Sequence, residues 1–137
     1  MTDLSITANN VSPASSAIKE TLIALEAITA GQVVYKDPTT GKAGLADNNS
    51  ATAAVREPYG VALNGAQANQ PVTVQTGGRL NIGATVAAGE SYFLSDTAGA
   101  ICPEGDLASG EYTSLIGFGV STTQIDVNIQ KSGVAVP

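Results

Sequence analysis

Ala30-Gly31-Gln32-Val33-Val34-Tyr35-Lys36-Asp37 returns 58 residues later as Ala88-Gly89-Glu90-Ser91-Tyr92-Phe93-Leu94-Ser95. Each copy opens on Ala-Gly, runs through an apolar stretch of strand length, and ends in a turn whose glycine, Gly41 or Gly99, keeps the same 58-residue offset. Further along the register nearly holds. Tyr59-Gly60-Val61-Ala62-Leu63-Asn64 matches Ile116-Gly117-Phe118-Gly119-Val120-Ser121 at an offset of 57, and Val72-Thr73-Val74-Gln75 matches Val127-Asn128-Ile129-Gln130 at 55. The chain reads as two similar β-units, each a hairpin followed by a glycine-bearing strand and a closing strand. Two copies are too few for a solenoid, which needs about three or more, so they fit a pseudo-twofold barrel or sandwich.

Outward from this repeat, turn signals recur about every eight to twelve residues between short β-branched runs, as in all-β sandwiches and barrels. Strands are predicted over 32–36, 42–45, 59–63, 72–75, 79–82, 91–94, 112–120 and 124–129. Asp37-Pro38-Thr39-Thr40-Gly41, Gly77-Gly78 and Asp96-Thr97-Ala98-Gly99 supply the turns. Gly31 and Gly89 suit positive φ at a turn, whereas Gly60 and Gly117 inside strands point to bulges or to another segment passing close by. The stretch 17–27 fits either helical spacing (Ile18, Leu22, Leu25) or a strand, and the strand reading is preferred. Residues 1–16 are polar, carry Pro13 and hold isolated apolar residues, so they read as an extended arm outside the core. The β-domain then spans 17–133, with a short tail at 134–137.

The 137 residues suffice for one domain with a core. Its apolar content is mostly Ala and Val, with two Phe, four Tyr and no Trp, so each buried residue contributes little area and oligomerisation is expected to add stability. Six cations against twelve carboxylates give a charge of −6, and Lys19, Lys36, Lys42, Arg56, Arg79 and Lys131 are scattered in sequence, which disfavours nucleic acid as a partner. Charged residues make up 13% of the chain, below the roughly 25% usual for soluble domains, and a polar uncharged surface suits packing against neighbours. Cys102 is the sole cysteine, so no intrachain disulfide forms. The amino-terminal residues lack a basic and an apolar signal region, and no 18-residue apolar run occurs. Folding in a cytoplasm, without a membrane partner, is the expectation.

Histidine is absent, which removes the commonest general base and metal ligand together with every Ser/His or Cys/His nucleophile pair. Zinc would need ligands that one Cys and no His do not supply. Asp96, Glu104, Asp106 and Glu111 lie near one another in sequence but read as solvated turn residues, since their spacing fixes no catalytic pair. Asp47-Asn48-Asn49-Ser50 resembles a calcium loop only faintly, because Ala51 and Ala53 follow where oxygen ligands and glycine belong. Neither a phosphate-binding nor a dinucleotide-binding glycine motif occurs. No catalytic residue, metal or cofactor is therefore assigned, and the expectation is a protein that is not an enzyme. Tyr35, Tyr59, Tyr92 and Tyr112 sit at strand positions and read first as packing residues with bonded hydroxyls.

The run 30–37, then Pro58 to Ala66 and Gln70 to Gln75, resembles a family of phage virion proteins. The resemblance continues through Gly89 to Ser95, Gly99-Ala100-Ile101-Cys102-Pro103, Leu115 to Ser121 and the opening Ser5-Ile6-Thr7-Ala8-Asn9-Asn10-Val11. It covers nearly the whole chain and implies a tailed-phage capsid decoration protein: a β-domain, usually a homotrimer, on the outer surface of the virion, reinforcing contacts between major capsid protein subunits. Within that picture Leu4, Ile6 and Thr7, which alternate as in a strand, and Val11 are expected to bind the capsid by adding to a sheet edge. The same architecture would also serve a phage tail or fibre protein, or a carbohydrate-recognition domain using its tyrosines. An enzymatic reading would rest on Glu104 and Asp106.

Overall fold

The computed structural model describes residues 3–103 and 107–136. Glu104 and Asp106, and the outermost residues assigned to the arm and tail, lie outside them. The chain is all-β: among the described residues ten strands form one curled antiparallel sheet, a half-barrel, with two single-turn 3-10 segments. The strands are β1 (Val11–Pro13), β2 (Ile18–Ile23), β3 (Val33–Lys36), β4 (Ala43–Leu45), β5 (Gly60–Ala62), β6 (Pro71–Ile82), β7 (Ser91–Leu94), β8 (Ile101–Pro103), β9 (Tyr112–Gly119) and β10 (Gln124–Ala135).

The spatial order β4-β3-β5-β6-β10-β9-β7-β8 is the internal repeat made visible. The first unit reads 4-3-5-6 from its rim inward, the second 8-7-9-10, and the closing strands β6 and β10 meet in the middle through Gln124↔Asn81 to Asn128↔Gly77. Both hairpins turn through glycines at positive φ, Gly41 at 73° and Gly99 at 78°. In the first, the Asp37 carboxylate accepts the Thr39 and Thr40 amides, an Asx turn that fixes the hairpin locally. β8, unmarked by strand propensity in the sequence, lies at the repeat offset from β4.

Burial alternates with the pleat, but on both sides. Val33, Tyr35 and Val61 enter the larger core cluster with Leu80, Ile82, Leu94, Ile101, Ile116 and Ile125. Val34 and Ala62 face a second cluster with Leu22, Ile28, Val72 and Val74. β3 and β5 are thus covered on both faces, the second by β2 and the stretch that follows it. This explains why they read as continuous apolar runs rather than clean alternations.

Three expectations need correction. Gly77-Gly78 is not a turn, and the strands expected at 72–75 and 79–82 are one twelve-residue strand, β6. Its register against β2 slips between Ile18↔Gly77 and Lys19↔Gln75, a bulge at Thr76, and Gly78 just beyond it takes a positive φ of 88°. The Gln75 amide nitrogen lies 2.8–3.1 Å from the carbonyls of Gly77, Gly78 and Arg79, the last of which also accepts the Ala14 amide, so this side chain holds the bulged stretch from within its own strand. The tail is not separate either: β10 reaches Ala135, and the Val136 amide donates to the Glu111 carbonyl.

The arm is extended, yet it is not outside the core. Val11 is 8% exposed within the larger cluster, and Leu4, Ile6 and Ala8 pack against that cluster. The Leu4 amide donates to Ile101 O and the Thr7 amide to Gly83 O, each at 2.8 Å, and β1 pairs with β6 from Val11↔Ile82 to Pro13↔Leu80. The apolar residues of this segment were too sparse to mark a core strand by period, but they find a groove across both β-units.

Candidate interaction surfaces

The arm residues assigned to capsid binding divide in the structure. Leu4 and Ile6 are half-buried and Val11 is buried against their own domain, while Thr7 faces solvent. The Ile6 side chain lies against Gly31, where a Cβ would come within 2.6 Å of it. Three of the four side chains are therefore already occupied.

A different strand presents the open edge. β2 pairs with β6 through Leu22↔Val72 and Glu20↔Val74, and the Ala24 amide donates to Gln70 O just beyond. Thr73, opposite Thr21, directs its own groups the other way: its amide donates to the Asn64 side chain and its carbonyl accepts the Leu63 amide. Thr21↔Thr73 is then a non-hydrogen-bonded pair, and antiparallel alternation turns the backbone groups of Lys19, Thr21 and Ile23 away from β6. Just past Ile23 that outward side is taken: the Leu25 amide donates to Ala43 O and Ala24 bridges Ala43 in parallel, so β4 closes this end of the edge and leaves the stretch from Lys19 to Thr21 open. Other rims are blunted. Leu25 covers part of β4, Leu4 donates to β8, and Pro13 removes a donor from β1.

Along this strand and just past its end, Ile18 is 63% exposed, Ile23 41% and Leu25 36%, three of the five large apolar side chains most exposed on the described chain. Unpaired backbone beside exposed aliphatic side chains is the combination that strand addition uses.

Beside it the scattered cations of the sequence converge. Glu20 accepts the Tyr59 hydroxyl at 2.8 Å and lies 3.7 Å from Lys36 Nζ, which sits 5.3 Å from the Tyr59 ring. This hydrogen bond to a carboxylate, followed by burial, raises the Tyr59 hydroxyl above its ordinary pKa. A shallow pocket joins Lys36 and Tyr59 to Glu57 and Lys131, which also line a larger cleft of about 430 Å³ with Arg56, Tyr112, Ala53, Ser114 and Ser132. There the Arg56 guanidinium stacks at 3.9 Å from the Tyr112 ring centroid and donates to Ser50 O at 3.0 Å, and Lys131 Nζ is 3.4 Å from Glu57. Half of the chain's six cations border these two depressions. Sequence reading missed them because 75 residues separate Arg56 from Lys131.

The other candidates are structural. Tyr92 is buried, with its hydroxyl accepting the Ala87 amide, and Tyr35 packs over Gly44. Burial, then the charges of Asp37 and Glu26, raise the pKa of Tyr35. In the calcium-like segment Asp47 accepts the Asn49 amide as a plain turn residue. Asn48 is fully buried and donates to Leu94 O and Glu111 Oε1, tying the first β-unit to the second. Among the described residues no group of His, Cys, Asp and Glu could hold a metal, and no helix is long and apolar enough to cross a membrane.

No family, curated protein or solved structure matches this chain.

Proposed function

We propose that this protein is a non-enzymatic structural component of a tailed-phage virion, a homotrimer that binds the outer capsid surface and stabilises contacts between major capsid protein subunits. The observation that carries the reading is the open edge of β2, where the outward backbone of Lys19 and Thr21 and the amide of Ile23 run beside exposed Ile18 and Ile23, up to the point where β4 bridges the chain at Ala24. An extended segment of the capsid protein added at this edge would pair its backbone there and cover these side chains. The capsid as partner comes from the family resemblance of 30–37, 58–66 and 89–95 in particular. The docked arm supports this assignment of roles: with Leu4, Ile6 and Val11 packed at home, docking falls to β2 and the arm holds the domain together.

The test is titration onto capsids assembled without the protein. Wild-type protein is expected to saturate them at a fixed stoichiometry and to raise their resistance to heat. Ile23→Lys, at an exposed position, is expected to keep the melting temperature of the free protein within a few degrees while weakening capsid binding by about tenfold or more. Undiminished binding by that variant would remove β2 from the interface, and a monomer mass in sedimentation equilibrium would remove the trimer.

A further inference from the structure

We infer that the cleft between Arg56 and Lys131 is a binding site for the carboxylate of an acidic sugar, an activity beyond attachment to a capsid. Arg56 is held ready for such a ligand. Its plane is fixed against Tyr112 and one N–H is anchored on Ser50 O, yet no carboxylate pairs with it among the described residues. A guanidinium carries five donors in a rigid fork, so a pair of them remains for bidentate capture of a planar anion. Tyr112 carries no hydrogen bond on its hydroxyl among the described residues, and that group too is available to a ligand. Across the cleft, Lys131 pairs with Glu57 at 3.4 Å with both side chains about half exposed, a weak contact that a second carboxylate readily exchanges. Lys36, itself paired with Glu20, faces the adjoining depression, so the lining is cationic overall on a chain of net charge −6.

The lining also selects the class of ligand. An extended peptide needs free backbone partners, but here β9 and β10 pair at Lys131↔Ser114 and Ala135↔Tyr112, and in the bulge between these pairs the Ser132 hydroxyl donates to Thr113 O and accepts the Val134 amide, so the walls offer side chains rather than an open strand edge. A uronate offers what those side chains can use. Its carboxylate fits Arg56 and Lys131, and its hydroxyls fit the Tyr112 hydroxyl and the acceptor oxygens of Glu57. The volume of about 430 Å³ lies within the range of small-molecule sites and suits one or two sugar rings.

Digalacturonate is the probe, with neutral galactobiose, triglutamate and acetate as comparisons, followed by amide and side-chain NMR on the full chain up to about 10 mM ligand. Digalacturonate is expected to shift Arg56, Tyr112 and Lys131 saturably, to bind more weakly as salt rises, and to exceed each comparison. Arg56→Met is expected to lower its affinity about tenfold or more. Arg56→Lys, which keeps the charge but loses the stacked fork, is expected to recover only part of the loss. Equal binding of galactobiose, tighter binding of triglutamate, shifts no larger than those with acetate, or undiminished binding by a folded Arg56→Met each overturns the proposal. Capsid binding by Arg56→Met is expected to equal wild type, so the two functions fail separately.

Discussion

Deleting residues 1–16 is expected to destabilise the β-domain by roughly 3–5 kcal/mol, the scale of removing large aliphatic side chains from a packed core. Leu4 and Ile6 pack on the larger cluster, Val11 belongs to it, and β1 pairs with β6 from Val11↔Ile82 to Pro13↔Leu80. Truncation would expose Ile82 and Ile101, both fully buried in the intact chain. A domain of this size has a total stability of about 5–15 kcal/mol, so this loss is a large share. Urea unfolding of the full and truncated chains measures it directly. An unchanged midpoint would mean that the arm is detached in solution, as the sequence alone led one to expect.

The second large effect is expected at the paired glycines of the repeat. Gly60 leaves room for no Cβ, because one would meet the Val74 side chain and lie 2.6 Å from the Gln75 carbonyl oxygen of β6. At Gly117 a Cβ would collide with the Asp126 carbonyl oxygen of β10. Both obstacles include backbone of a neighbouring closing strand, which cannot swing aside as a flexible side chain does. Gly60→Ala and Gly117→Ala are each expected to cost roughly 1–3 kcal/mol, and the double variant to leave little stable protein. Gly65→Ala is the control: its nearest neighbour would be Ile28 O at 3.7 Å, so its melting temperature is expected to change little. Equal effects at Gly60 and Gly65 would contradict the close strand approach.

These glycines also show what the sequence could reveal. Their equivalence at a 57-residue offset placed them in strands near another segment, and the same repeat anticipated a sheet of two related units. The turn glycines Gly41 and Gly99 were legible for the same reason, since local geometry fixes their residue type. Gly77-Gly78 misled because two adjacent glycines serve a bulge as well as a turn, and the Gln75 amide that holds this bulge leaves no pattern in the chain. The arm misled because its contacts are non-local: Ile6 meets Gly31 and Leu4 meets Ile101. The two candidate surfaces were hidden to different degrees. Ile18, Ile23 and Leu25 stood in a stretch where helix and strand competed, so which of them would be exposed depended on that choice. Arg56 and Lys131 appeared as scattered charges until the fold brought them to one cleft.

The claim that β2 is the docking edge is tested most directly by hydrogen exchange on the amides of Lys19, Thr21 and Ile23, free and on saturated capsids. In the free protein these three are expected to exchange quickly, while those of Glu20 and Leu22, directed at β6, are protected. On the capsid, all five are expected to be protected. Rapid exchange at Lys19, Thr21 and Ile23 in the fully bound state would contradict strand addition at β2.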